Sequence, residues 1–139
     1  MDSRTHAFRL PHGADLRKAI EHYVGEHDIR AGCLVTCIGG LSSVVLRMPG
    51  ATQFSHLEGA FEIISASGTL SVNGSHIHLS LSDGEGAMRG GHLDYGSTVR
   101  LSAEIVVLEN PRFVFSREYD PDTGFRELMV QESGVPHEG

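Results

Sequence analysis

Only two cysteines occur in the 139 residues, Cys33 and Cys37. They lie four apart on an expected strand, roughly 13 Å at ~3.3 Å per residue. A disulfide needs Cα atoms within about 7 Å, so the two cannot bridge each other and both read as small buried residues. Lysine is rarer still, with Lys18 standing alone. The arginines come one at a time, and Lys and Arg together number 11 against 18 Asp and Glu, a formal net charge of −7. Duplex DNA binding draws most of its affinity from cations that neutralise phosphates. A chain with no basic stripe or tail is therefore a poor candidate for direct DNA contact. Apolar runs are short as well, none approaching the ~20 residues of a membrane-spanning helix. Residues 1–6 lack the basic-then-apolar pattern of a signal peptide. No membrane partner and a cytoplasmic location are the expectations that follow.

What is present is an ordinary globular composition, 40% hydrophobic and 21% charged. One domain of this length buries about two-thirds of its unfolded surface without disulfides. A single domain over 1–139 is expected, with its core at about 6–131 and a frayed tail at 132–139. Residues 6–10 read as a first strand ended by Pro11-His12-Gly13. Asp15 then caps a helix whose stripe is Leu16, Ala19, Ile20, Tyr23 and Val24. His22 and His27 read as surface residues on or after that helix. Residues 29–38 form a strand with apolar odd positions, ended by Gly39-Gly40. A further strand at 41–48 stops at Pro49-Gly50. Residues 52–56 are expected to pair with 61–67, and Asn73-Gly74 marks a two-residue hairpin between 69–72 and 75–82. Residues 83–91 read as a glycine-rich loop, but Gly84-Glu85-Gly86-Ala87-Met88-Arg89-Gly90 has the wrong spacing for a dinucleotide-binding turn. Strands follow at 99–108, 112–119 and 125–130. One helix among so many consecutive strands predicts an α+β fold, mainly an antiparallel sheet with one flanking helix. Apolar residues on both faces of 99–108 predict that subunit association covers the second face.

Three histidines carry the chemistry. Side chains alternate along a strand, so His76 and His78 share one face while Ile77, Leu79 and Leu81 share the other. His92 follows Gly90-Gly91, which let the backbone turn a third imidazole toward the pair. Three neutral imidazoles suit zinc and leave a coordination position open. The alternative is that the three are surface or hydrogen-bonded histidines with no ion.

The ordered motifs resemble the PPC domain, the plant and prokaryote conserved domain. They are Arg9-Leu10-Pro11-His12-Gly13-Ala14-Asp15-Leu16, Ile38-Gly39-Gly40-Leu41, the stretch from Gly59-Ala60-Phe61-Glu62-Ile63 to Gly68, His76-Ile77-His78-Leu79-Ser80-Leu81, and Gly90-Gly91-His92-Leu93. The resemblance covers roughly residues 6–131. It implies a homotrimer of antiparallel sheets with a flanking helix, and a metal in some prokaryotic members at the positions of His76, His78 and His92. It also implies a DNA-binding or transcription-associated role, with regulatory protein partners. In plants, however, a Gly-Arg-Pro segment beside the domain makes the DNA contact. This chain has no such segment, and Ala60 stands where the plant pattern has arginine.

Two functions follow. The first is a trimeric binding module with a three-histidine zinc site. The second is a zinc-dependent hydrolase or hydratase, in which the metal lowers the pKa of bound water. The enzyme would need a general acid or base from Glu62, Asp83, Glu85 or Asp94, and no spacing singles one out. A cupin-like site is a weaker option, because the expected Glu is missing after the His-x-His.

Overall fold

The computed structural model describes residues 2–50 and 52–134. Asp15 opens the helix α1 (Leu16–Glu26), accepting hydrogen bonds from the Lys18 N–H at 3.1 Å and the Gly96 N–H at 2.7 Å. These satisfy one free helix-terminal donor and tie the helix start to the loop before the sixth strand. Leu16, Ile20 and Val24 form the buried stripe. Leu16 and Ile20 are fully buried, each contributing about 1.5–3 kcal/mol relative to exposure.

The strands are β1 (Arg4–Pro11), β2 (Ala31–Arg47), β3 (Phe54–Ser71), β4 (Gly74–Ser82), β5 (Met88–Leu93), β6 (Thr98–Glu109), β7 (Phe113–Asp120) and β8 (Phe125–Glu132). The first six make one antiparallel sheet in the order β1-β6-β2-β3-β4-β5. The end of β2 also pairs with β5, Leu46 opposite Leu93 and Arg47 opposite His92. Strands β2 to β5 therefore close on themselves around Val44, Leu46, Ile63, Leu79, Leu81 and Leu93, all buried. The expected α+β architecture, a mainly antiparallel sheet with one helix, is what the described residues adopt.

Several boundaries differ from the sequence reading. Gly39-Gly40 does not end a strand, and β2 runs through it for 17 residues. At Gly39, with φ of +155°, a Cβ would stand 2.3 Å from the Ser102 carbonyl oxygen. The glycine permits close approach to β6 instead of a turn. Residues 52–56 and 61–67 do not pair, since 54–56 and 61–67 both belong to the 18-residue β3 and its early part pairs with β2. The hairpin turn falls one residue early, on Val72 and Asn73, because Ser71 pairs with Gly74. Not all odd positions of β2 are core. A bulge between Leu34 and Thr36 against β6 turns Val35 outward, 57% exposed.

His22 and His27 are both exposed, as expected, and His27 has a structural part as well. It caps α1 and stacks on Tyr23 with ring centroids 3.8 Å apart. Residue 132, expected in the tail, pairs with Phe113; residues 135–139 of that expectation lie outside the described residues. Strands β7 and β8 do not join the main sheet but form a two-stranded one. Asn73 fastens it to the β3–β4 turn, its side chain donating to the Arg117 carbonyl at 3.0 Å and accepting from the Arg117 N–H at 2.7 Å. Among the described residues no helix is long and apolar enough to cross a membrane.

Candidate metal centre

Strand β4 carries His76 and His78 on one face, and β5 sets His92 directly opposite His78. The expected loop at 83–91 is shorter than the sequence reading has it, because Gly90 and Gly91 lie within β5. A Cβ on Gly90 would stand 2.7 Å from the Leu79 carbonyl oxygen. A side chain there would push β5 away from β4 and carry His92 with it. The third histidine is thus delivered by strand pairing, with the glycine allowing the close approach.

The three rings converge. Ring centroids lie 4.8 Å apart for His76–His78, 4.6 Å for His78–His92 and 5.5 Å for His76–His92. One nitrogen from each falls within 4.8 Å of the others. The Nε2 atoms of His76 and His78 are 3.2 Å apart, close to the ~3.3 Å edge of a tetrahedron with 2.0–2.1 Å metal–nitrogen bonds. His92 Nδ1 is buried with no hydrogen-bond partner, a group that ordinarily costs about 1–3 kcal/mol unless something satisfies it. The donor set, its spread and this orphaned nitrogen all fit a divalent ion.

Electrostatics favour the form that binds metals. Burial, then the Arg117 guanidinium and the neighbouring histidines, hold the His76 pKa below its ordinary value. Burial, then Arg47 and His78, do the same for His92. Both rings are therefore neutral at neutral pH and present lone pairs.

Sequence reasoning missed the surroundings of these rings. His76 and His92 border a cavity of about 560 Å³ that also takes Arg17, Arg47, Arg117, Arg126 and Glu127. Arg117 and Arg126 arrive on β7 and β8, and only the Asn73 clamp, a side chain in a turn, hints at that approach. The carboxylates considered for acid–base work, Glu62, Asp83, Glu85 and Asp94, do not line the cavity. Asp83 is engaged by the Glu85 and Ala87 backbone N–H groups, each at 2.9 Å, which lower its pKa. Asp94 pairs with Arg17 at 3.2 Å. Cys33 and Cys37 are free thiols.

A model of the Plants and Prokaryotes Conserved (PCC) domain matches residues 1–111. The chain belongs to that family. The PCC match ends before β7, so the hairpin carrying Arg117 and Arg126 lies beyond it.

Among relatives, the bifunctional protein GlmU of Synechococcus sp. (strain JA-3-3Ab) is 35% identical over 129 residues, 93% of this chain and 21% of that protein. The chain thus spans about a fifth of the length of the curated relatives it matches. A hypothetical protein from Salmonella enterica is 37% identical with a TM-score of 0.91, over 95% of this chain and 96% of the other. The metal-containing protein of Archaeoglobus fulgidus is 28% identical with a TM-score of 0.76, over 91% and 93% of the two chains. A candidate DNA-binding protein from Bacteroides thetaiotaomicron is 22% identical with a TM-score of 0.78, over 90% and 91%. At that identity it shares the PCC fold alone.

Proposed function

We propose that this PCC domain is a self-associating binding module in which His76, His78 and His92 hold one zinc ion per chain. The observation that carries the reading is the convergence of three imidazoles within 4.8 Å on adjacent strands, one with a buried unpartnered nitrogen. Zinc suits an all-imidazole set, and three protein ligands leave one position for water or a ligand. The hydrolase or hydratase reading would need Glu127, a carboxylate on the cavity wall, as its acid or base, because the four carboxylates considered from the sequence stand outside the cavity.

Self-association is supported by the outer face of the sheet. Val35 (57% exposed) and Ile38 (54%) on β2 and Leu101 (68%) on the neighbouring β6 leave apolar surface open on this pair of strands. Leu101 holds a positive φ of 66°, unusual for a leucine and a local strain that aims its side chain outward. Burying such a patch against copies of the same chain removes apolar surface from water. The family resemblance supports a homotrimer as the form of that assembly. DNA association would come through a basic partner, since the chain's own net charge is −7.

Metal analysis of untagged protein tests the metal reading. The native chain is expected to carry one equivalent of zinc and His78→Ala to carry none. Full zinc occupancy in the variant contradicts the ligand set.

A further inference from the structure

We infer that the cavity beside the histidines binds a small phosphate ester, gripped by Arg47, Arg117 and Arg126. Its placement against a metal rests on the reading proposed above, and the test below separates the two.

Charge gives the first argument. In a chain of net charge −7, four arginines border this one cavity. Arg17 is already neutralised, pairing with Asp94 at 3.2 Å and Glu21 at 3.4 Å. By contrast, Arg47, Arg117 and Arg126 close no ion pair among the described residues. Among the described residues Glu127 is the one carboxylate on the wall, so cationic charge is left in excess there.

The state of the guanidiniums gives the second. Arg117 donates to Thr69 Oγ1 at 2.6 Å, yet its Nε is buried with no hydrogen-bond partner. Arg126 donates to the Arg117 carbonyl at 3.1 Å, which fixes it beside Arg117. Arg47 lies over the Phe125 ring, 5.7 Å from its centroid. These groups are held in place by their neighbours while donor capacity is left over, as a preorganised anion site requires.

Shape selects the anion. The three guanidiniums come from β2, β7 and β8, separate strands approaching one space. A planar carboxylate satisfies a single Arg fork, whereas a phosphate offers oxygens in several directions and carries about −1.5 to −2 charge at pH 7. A volume of about 560 Å³ falls within the range of small-molecule sites and exceeds what phosphate alone fills. The aromatic rings of Tyr95 and Phe125 on the wall suit the organic remainder.

The test is calorimetric titration of the full chain with inorganic phosphate, phenyl phosphate and succinate. It compares the native protein with Arg47→Gln and Arg117→Gln, first stripped of metal and then with zinc restored and counted. Phenyl phosphate is expected to bind once per chain and more tightly than succinate. Each substitution should weaken it about tenfold or more, the loss of one charge-assisted contact, without changing zinc content. If Arg117→Gln fails to fold, Arg47→Gln decides alone. Absence of phosphate and phenyl phosphate binding by the native chain, undiminished binding by the folded variants, or tighter binding of succinate overturns the inference. Phenyl phosphate binding with no zinc uptake upholds the anion site and removes the metal reading by itself.

Discussion

At Cys37, burial pushes the thiol up from its ordinary 9.0 to about 12. The unfolded thiol ionises near 9 while the folded one stays neutral, so its contribution to stability is complete below that pH. It is lost progressively as pH rises from about 9 toward 12. Only the thiolate reacts. Iodoacetamide at pH 8 is therefore expected to leave Cys37 unmodified in the native protein and to alkylate it after denaturation; rapid native labelling would contradict the burial. His76 and His92 run the other way. Their folded pKa values are depressed, so the stability of the neutral rings is present above about 6.5 and declines as pH falls below it. The histidines were legible as residues because strand alternation is a local rule. Arg117 and Arg126 were not, since nothing within 113–132 tells which turn that hairpin will meet.

Among the elements, the long strands were the hardest to read. Glycine pairs such as Gly39-Gly40 usually punctuate a chain, and here the residues on either side argue equally for one strand or two. What decides is the separation of β2 from β6, a distance set by tertiary packing. Gly39→Ala places its Cβ 2.7 Å from the Ala103 Cα as well as 2.3 Å from the Ser102 oxygen, in a backbone region that L-residues avoid. Strain and overpacking together predict a loss of about 2 kcal/mol or more, read as a lower midpoint in urea. An unchanged midpoint would show that β6 can move aside cheaply. The helix was more legible. Asp15 as cap and the Leu16, Ile20, Val24 stripe are local signals, and all of them operate in the fold. The β4 histidine pair was placed by the same kind of signal, a turn followed by alternation, and the one-residue shift of that turn left the strand's phase intact.

For the whole molecule, composition set the class and the sheet followed from the number of strand-length segments, but closure of β5 onto β2 is a long-range pairing that no window of sequence displays. The same scale governs nucleic-acid contact. Assembly would multiply the −7 charge along with the histidine sites, so the isolated protein is expected not to bind random or AT-rich duplexes at about 0.15 M salt in fluorescence anisotropy. Sub-micromolar binding that weakens steeply with added salt would reveal a basic surface formed by assembly.

One native mass spectrum of untagged protein bears most directly on the account of a metal-bearing, self-associating module. The predicted result is a species near three times 15.0 kDa carrying one zinc per chain, with the metal absent from the His78→Ala assembly. A metal-free monomer at micromolar concentration would contradict it.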